Sequence, residues 1–326
     1  LHNKFQFMKK LIILEYFTSQ SVCDVKNNQG IFKEALNISN SIIKNFIKSD
    51  KIKNIIVIRN ENLKCLYSKK VKYYRTNKDV SFLDILKTFK SNNEIILIAP
   101  ESQRIYIKIL KELNKICKVI GSSFKNIEIF SSKIKTIKML KKYKIPVVNK
   151  VSSNEFAEKT KLIKKPEYGA GSEKVSLIYN ENISIEKKFI LQKFYAGKKG
   201  SFLMLCKNGE NKVICCNQQI IRVETNKIYQ IGCVMGGLER HRDEIELLAD
   251  QISKKFTELF GVIGVDIVQH NGKWLVIEVN SRFTSSYCGI NNSYNFETID
   301  AITNFYINKN LKEFSPKLLK KYKYIF

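Results

Sequence analysis

Short apolar runs and amphipathic segments alternate along the first third of the chain. The runs have the length of buried strands, and the segments between them repeat apolar residues at the helical period. The predicted strands are residues 11–16, 55–59, 94–99 and 117–120, and the predicted helices are residues 31–47, 80–89 and 104–116. Strands separated by helices favour a parallel, Rossmann-like sheet with both faces covered. The motif G-x-G-x-x-G is absent, which argues against a dinucleotide site.

The rest of the chain mixes hairpins with helices. Asn208-Gly209 joins two expected antiparallel strands at residues 202–206 and 212–216. A helix capped by serine is predicted at residues 131–143, and further helices are predicted at residues 244–260 and 297–306. The predicted fold class is therefore α/β, with α+β organisation in the C-terminal part.

Two more strands, residues 262–269 and 273–280, carry acidic residues inside apolar runs. Asp266 lies in the first and Glu278 in the second, where an unpaired carboxylate would be costly to bury. Because side chains alternate along a strand, Glu278 and Asn280 share one face. The pattern indicates a functional face, and the competing interpretation is two surface acids on an edge hairpin.

The turn between these strands decides whether Asp266 joins that face. A two-residue Asn-Gly turn would place Asp266 opposite Ile277, on the wrong side. A three-residue loop at 270–272 would set Asp266 opposite Val276 and diagonal to Glu278, and this is the register we expect.

In the expected register, the oxygens of Asp266, Glu278 and Asn280 would form a hard-ligand set suited to Mg²⁺, with Mn²⁺ as an alternative. Arg282 follows two residues later, where its planar fork is placed to bind the phosphates of a metal-bound nucleotide.

A second group of residues suits phosphate binding. Lys133 lies in the first turn of the predicted helix 131–143, where its charge opposes the helix dipole and does not serve helix stability. Lys165 precedes a proline and a glycine loop whose backbone amides can approach a triphosphate. The loop contains Gly169, Gly171 and Ser172.

Taken in order, these motifs resemble those of the ATP-grasp superfamily. The shared features are a lysine inside a helix, K-P before a glycine loop, a hinge strand at residues 190–195 (I-L-Q-K-F-Y), and an acid followed by E-x-N-x-R. The resemblance implies an ATP-grasp fold behind a Rossmann-like pre-ATP-grasp domain. It implies three domains: residues 1–125 (N-terminal domain), 126–190 (lid subdomain with its linking helix) and 191–326 (C-terminal subdomain with the Mg²⁺ and ATP site).

The resemblance also implies roles for individual residues. ATP would be held at its phosphates by the two lysines and the glycine loop, and at its adenine by the hinge strand. Residues 217–219 would face the active site, Arg282 would be catalytic, and the segment after it would bind substrate. The implied residues are Lys133, Lys165, Gly169, Gly171, Ser172, Gln192, Lys193 and Tyr195 for ATP; Asp266, Glu278 and Asn280 for the metal; and Thr284, Ser285, Ser286 and Tyr287 for substrate.

The segment N-S-R-F-T-S-S-Y-C-G-I at residues 280–290 is similar to N-P-R-F-T-T-S-Y-x-G of tyramine–L-glutamate ligases. This resemblance implies an ADP-forming acid–amine ligase that joins the γ-carboxylate of L-glutamate to tyramine in methanofuran biosynthesis. Ser281 replaces the usual proline, so the loop is expected to be less rigid. Another amino-acid or peptide ligase of the same fold, acting for example on a lysine-derived amine, stays open.

Composition sets the remaining expectations. The chain has 326 residues, 44% of them hydrophobic, and a formal net charge of +27. Lysines are spread over the whole chain and no nucleic-acid module appears, so a non-catalytic nucleic-acid-binding protein is only a remote alternative. The apolar runs are strand-sized and the eight cysteines form no C-x-x-C pair, which favours a cytoplasmic protein without a membrane span. The expected partners are a small amino acid and an amine, and a homodimer stays open.

Overall fold

The computed structural model describes residues 10–22, 29–89, 93–151, 160–172, 174–179, 186–311 and 314–326. The N-terminal part forms a parallel sheet with strand order β3-β2-β1-β4-β5. Its strands are β1 (Leu11–Glu15), β2 (Ile55–Asn60), β3 (Val71–Thr76), β4 (Glu94–Ile98) and β5 (Lys118–Val119), and its helices are α1 (Gln29–Ile47), α2 (Phe82–Lys87) and α3 (Ile105–Leu113). The predicted Rossmann-like sheet is confirmed.

Both faces of this sheet are buried, as its nearly continuous apolar strands require. Leu11 and Ile13 of β1 pack with the apolar stripe of α1, whereas Ile12 and Leu14 pack with α2 and α3. The edge strand β3 was not predicted, because its sequence V-K-Y-Y-R-T is largely half-buried and lacks the apolar run of the central strands.

Two consecutive helices, α4 (Phe124–Ser131) and α5 (Lys133–Lys142), lead out of the parallel sheet. The predicted helix at 131–143 therefore begins two residues later, because Ser131 completes α4. Ser132 is the N-cap of α5, and its hydroxyl accepts a hydrogen bond from the Lys135 backbone N–H at 3.2 Å. This cap fixes Lys133 at the first position of α5.

The second sheet contains ten strands in the order β14-β13-β10-β11-β12-β8-β7-β9-β6, with β15 paired to β12. Its pairs are antiparallel. The strands are β6 (Lys150–Val151), β7 (Lys161–Pro166), β8 (Ser176–Tyr179), β9 (Phe189–Lys193), β10 (Lys199–Lys207), β11 (Glu210–Glu224), β12 (Lys227–Met235), β13 (Gly261–His270), β14 (Lys273–Asn280) and β15 (Tyr322–Ile325). The sheet carries α6 (Arg242–Lys255), α7 (Ile290–Ser293) and α8 (Phe296–Asn308).

Helix α6 covers one face of the second sheet, where Ile245, Leu248 and Ile252 join the strand residues in a buried cluster. A different cluster joins the opposite face to α1 and α8, and so connects the two sheets. No helix in the described ranges is long and apolar enough to cross a membrane. The division of the chain at residues 125 and 190 stays a prediction.

Candidate active site

Strands β13 and β14, which carry Asp266 and Glu278, form a hairpin that we call the acidic hairpin. It closes through a two-residue turn, so the prediction of a three-residue loop is wrong. His270 pairs with Lys273, and both turn residues, Asn271 (φ 47°) and Gly272 (φ 74°), adopt left-handed backbone conformations. A two-residue turn with two positive φ angles matches the right-handed twist of the strands, which explains the Asn-Gly sequence.

A β-bulge corrects the register that this turn would otherwise impose. Ile267 pairs with Val276, but the next pair along is Asp266 with Glu278, so Ile277 is an extra residue on β14. The two carboxylates consequently lie directly opposite each other and not on a diagonal. The bulge brings together the two acids that the simple two-residue hairpin would have separated.

The acid pair is half-buried and surrounded by hydrogen-bond donors. Gln219 Nε2 donates to Asp266 Oδ1 at 2.7 Å, and Asn280 Nδ2 lies 3.4 Å from Asp266 Oδ2. Lys133 Nζ lies 3.2 Å from Glu278 Oε1. Burial, and secondly the charge of Glu278, raises the pKa of Asp266 to about 7. Two carboxylates that repel each other beside an amide oxygen are a donor set that a divalent cation would stabilise, so the residues fit Mg²⁺.

Two lysines point into the same region. Lys133 and Lys165 each keep only 5% of their surface exposed. Lys133 Nζ also donates to the Gly169 carbonyl at 2.8 Å. Burial, aided by the charge of Lys133, lowers the pKa of Lys165 to about 8, although Glu278 and Asp266 oppose this shift. Buried ammonium groups beside a cavity favour an anionic ligand.

The glycine loop lies against both halves of the molecule. Gly171 has φ +63°, and a Cβ added there would meet nothing within 4 Å, so the requirement for glycine comes from the backbone conformation alone. Ser172 Oγ accepts from the Gln230 backbone N–H at 3.2 Å, and the Ala170 N–H donates to Ser102 Oγ at 3.1 Å. These bonds hold the loop, including Gly169, in the wall of the cavity.

The hinge strand places one free amide in the site. Gln192 is buried, and its Nε2 has no hydrogen-bond partner among the described residues. The neighbouring groups are engaged: the Lys193 N–H donates to the Asn149 carbonyl at 3.1 Å, and the Tyr195 carbonyl accepts from Lys199 Nζ. An unpaired buried amide is costly, so Gln192 is the strongest candidate here for contacting a bound base.

Arg282 is held by a residue that the sequence did not identify. Glu101, which follows β4, accepts from Arg282 Nε at 2.9 Å and from Nη2 at 2.7 Å. Burial disfavours the charged guanidinium, but the Glu101 carboxylate outweighs it and raises the pKa of Arg282. The only sign of Glu101 in the sequence was its position just beyond β4, because polar residues that follow the strands of a parallel sheet commonly form ligand-binding sites.

The prediction that Tyr287 binds substrate is wrong. Its ring is fully buried, packs edge-on against Phe283 at 4.7 Å between centroids, and its hydroxyl accepts from Asn45 Nδ2 at 2.8 Å. The ring belongs to the apolar cluster that connects α1 and α8, where burial of its apolar surface stabilises the fold. The other predicted substrate residues do line the cavity: Thr284, Ser285 and Ser286.

One cavity of about 470 Å³ unites these groups. A nucleotide with a small substrate requires space of this order. Its wall also contains two charged residues that were not assigned from the sequence, Glu34 on α1 and Lys199 on β10. The predicted site residues in the wall are Lys133, Lys165, Gly169, Gly171, Ser172, Gln192, Lys193, Tyr195, Gln219, Asp266, Glu278, Asn280, Arg282, Thr284, Ser285 and Ser286.

Comparison with known proteins agrees with this architecture. Residues 130–286 match the family model of the ATP-grasp domain. The solved structures similar to the chain include a protein of the ATP-grasp superfamily from Archaeoglobus fulgidus, with 22% identity, a TM-score of 0.71, and 91% of this chain and 88% of that chain covered.

Two enzymes with solved structures share the fold at lower identity. N5-carboxyaminoimidazole synthetase from Staphylococcus aureus has 14% identity and a TM-score of 0.69 over 98% of this chain and 82% of that chain. L-amino acid ligase from Bacillus licheniformis has 14% identity and a TM-score of 0.59 over 92% and 74%. No curated protein matches the sequence. The chain therefore has the ATP-grasp fold, as the sequence resemblance implied.

Proposed function

We propose that this ATP-grasp chain is an ATP-dependent ligase that joins a carboxylate to an amine through an acylphosphate, with Mg²⁺–ATP bound in the cavity described above. The observation that carries the proposal is that two carboxylates and two buried ammonium groups line the same wall of the cavity. Asp266 lies opposite Glu278 on the neighbouring strand, and the buried amines of Lys133 and Lys165 lie beside them. Phosphoryl transfer depends on this kind of positioning and charge neutralisation.

In the proposed reaction, the substrate carboxylate attacks the γ-phosphorus of ATP. The bond from the γ-phosphorus to the bridging oxygen breaks, ADP leaves, and an acylphosphate forms. The amine then attacks the acyl carbon, the carbon–oxygen bond to phosphate breaks, and the amine loses a proton. No protein nucleophile is needed, so positioning and charge carry the catalysis.

Each group of side chains has a distinct task in this scheme. Lys133 and Lys165 bind the phosphates, and the Gln192 amide donates a hydrogen bond to the adenine. Arg282 stabilises the charge on the transferred phosphoryl group. Asp266, Glu278 and Asn280 would hold Mg²⁺, which when bound neutralises the charge on the ATP phosphates.

For the substrates, we propose an amino acid as the carboxylate donor, L-glutamate through its γ-carboxylate, and tyramine as the amine, in methanofuran biosynthesis. The support is the likeness of residues 280–290 to the corresponding segment of tyramine–L-glutamate ligases. The loop hydroxyls of Thr284, Ser285 and Ser286 line the cavity beside Arg282, where such an acid would be bound. The structural likeness to an L-amino acid ligase also favours an amino acid.

The test is a panel of carboxylates crossed with a panel of amines, with ADP release measured and amide products identified by mass. L-glutamate and tyramine are included, together with other amino acids and a lysine-derived diamine. The proposal expects ADP and amide in equal amounts, with the highest kcat/KM for glutamate and tyramine. An amide formed only from another pair would change the substrates, whereas the absence of ADP release from every pair would refute the ligase function.

A further inference from the structure

Helix α1 brings an acidic residue to the part of the cavity lined by Thr284, Ser285 and Ser286, which we call the substrate end. Glu34 lines the cavity and is half-buried, and its Oε1 accepts a hydrogen bond from Ser285 Oγ. Farther along the helix, Asn45 Nδ2 donates to Tyr287 Oη at 2.8 Å. These two bonds dock α1 onto the 3-10 turn Ser285–Gly289, so the Glu34 carboxylate has a defined place in the wall.

The other carboxylates near the substrate end already have direct partners. Glu278 is paired with Lys133, Glu101 is paired with Arg282 in two-point geometry, and Asp266 accepts from the amides of Gln219 and Asn280. Among the described residues no side chain forms an ion pair with Glu34, whose carboxylate accepts a hydrogen bond from the neutral Ser285 hydroxyl. Its charge acts on Arg282 only through space, where it adds to the rise in the pKa of that guanidinium, so the carboxylate still lacks a direct cationic donor.

We infer that Glu34 binds the ammonium group of the substrate that supplies the carboxylate, so that this substrate is an amino acid. The inference rests on the proposed ligase function and specifies its acid. A partly desolvated carboxylate gains most from a cationic donor, because charge-assisted hydrogen bonds are about twice as strong as neutral ones. An ammonium has three N–H donors, and the hydroxyls of Thr284 and Ser286, 3.1 Å apart, can accept the remaining two.

The arrangement of charges matches an amino acid and disfavours other acids. Arg282 lines the same cavity and suits the acyl and phosphoryl oxygens, whereas Glu34 suits a cation. Bicarbonate carries no cation for Glu34, and a phosphate monoester placed there would meet a like charge. Glu34 therefore determines specificity, and it is not itself a reacting group.

The test compares Glu34→Gln with the parent protein, using L-glutamate and its deaminated analogue glutarate. The glutamine amide oxygen can still accept from Ser285, so the variant removes the charge and keeps the docking of α1. Glu34→Gln is expected to lower kcat/KM for glutamate roughly 10- to 100-fold, the usual loss for a hydrogen bond to a charged group. For glutarate, kcat/KM is expected to stay unchanged; if glutarate is not turned over, its inhibition constant against glutamate takes the place of kcat/KM.

The matched control is Glu112→Gln, which removes an exposed acid on α3 outside the cavity and should change neither value. Equal losses for glutamate and glutarate, no loss for either, or a rise only in the KM of the amine would each overturn the inference. These outcomes leave the ligase function intact. A parent protein that releases no ADP with any acid would instead refute the ligase function, and the inference with it.

Discussion

The ion pair between Arg282 and Glu101 gives the sharpest stability prediction, because it is buried and joins the parallel sheet to the acidic hairpin strand. The side chains of Arg282 and Glu101 keep only 12% and 3% of their surface exposed, and two hydrogen bonds of 2.9 and 2.7 Å connect them. Glu101→Ala removes the carboxylate and leaves the guanidinium buried without its counter-charge. We therefore expect a large loss of stability together with a loss of activity.

The magnitude follows from the burial. Removing one partner of a buried pair costs about 3–5 kcal/mol, because the remaining charge stays desolvated and unpaired. At about 2 °C per kcal/mol for a chain of this size, the midpoint of thermal unfolding should fall by roughly 6–10 °C. The double variant Glu101→Ala/Arg282→Ala should lose less stability than the sum of the two single variants, since it leaves no charge unpaired.

The assay is thermal unfolding of the single and double variants, measured beside Glu112→Ala. Glu112 forms an exposed pair with Lys115 at 2.9 Å, and such pairs contribute about 0–1 kcal/mol. The kcat/KM for the carboxylate substrate is measured in parallel and should fall in Glu101→Ala. If Glu101→Ala unfolds at the same temperature as Glu112→Ala, the ion pair does not connect the two sheets as argued.

Two further predictions concern Lys165 and Tyr287. Burial lowers the pKa of Lys165 to about 8, so its amine loses its proton as the pH rises through that value and kcat/KM for ATP should decline above it. The guanidinium of Lys165→Arg stays charged, so this variant should move the decline to higher pH. An unchanged pH profile would contradict the role of Lys165 in binding ATP. Tyr287→Phe leaves the buried Asn45 donor unpaired and should cost about 1–3 kcal/mol in thermal unfolding, with the KM of both substrates unchanged. A raised KM would return Tyr287 to the substrate site.

Local patterns were sufficient to predict much of the fold. The apolar runs that became β1, β2 and β4 are buried on both faces, so their hydrophobicity is nearly continuous and easily recognised. Lys133 was identified for a similar reason: a lysine in the first turn of a helix opposes the dipole, which points to a role other than helix stability.

Features that depend on distant contacts were not predictable from local patterns. The bulge at Ile277 sets Asp266 opposite Glu278, yet no turn or glycine near it marks an extra residue. Tyr287 was assigned to the substrate because it lies in the segment after Arg282, but the residue that hydrogen-bonds its hydroxyl, Asn45, is 242 residues away in the sequence. Glu34 reaches the cavity only because α1 docks on the segment after Arg282, which the sequence of α1 alone does not reveal.

The central claim is that the opposed carboxylates of Asp266 and Glu278 hold the Mg²⁺ on which ATP cleavage depends. The most direct measurement is ADP release during a Mg²⁺ titration of the parent protein, Glu278→Ala and the control Glu112→Ala, with thermal unfolding of each. Lys133 keeps its bond to the Gly169 carbonyl without Glu278, so the fold should persist. We predict saturable, Mg²⁺-dependent ADP release by the parent and control and none by folded Glu278→Ala. Full release by Glu278→Ala would contradict the account.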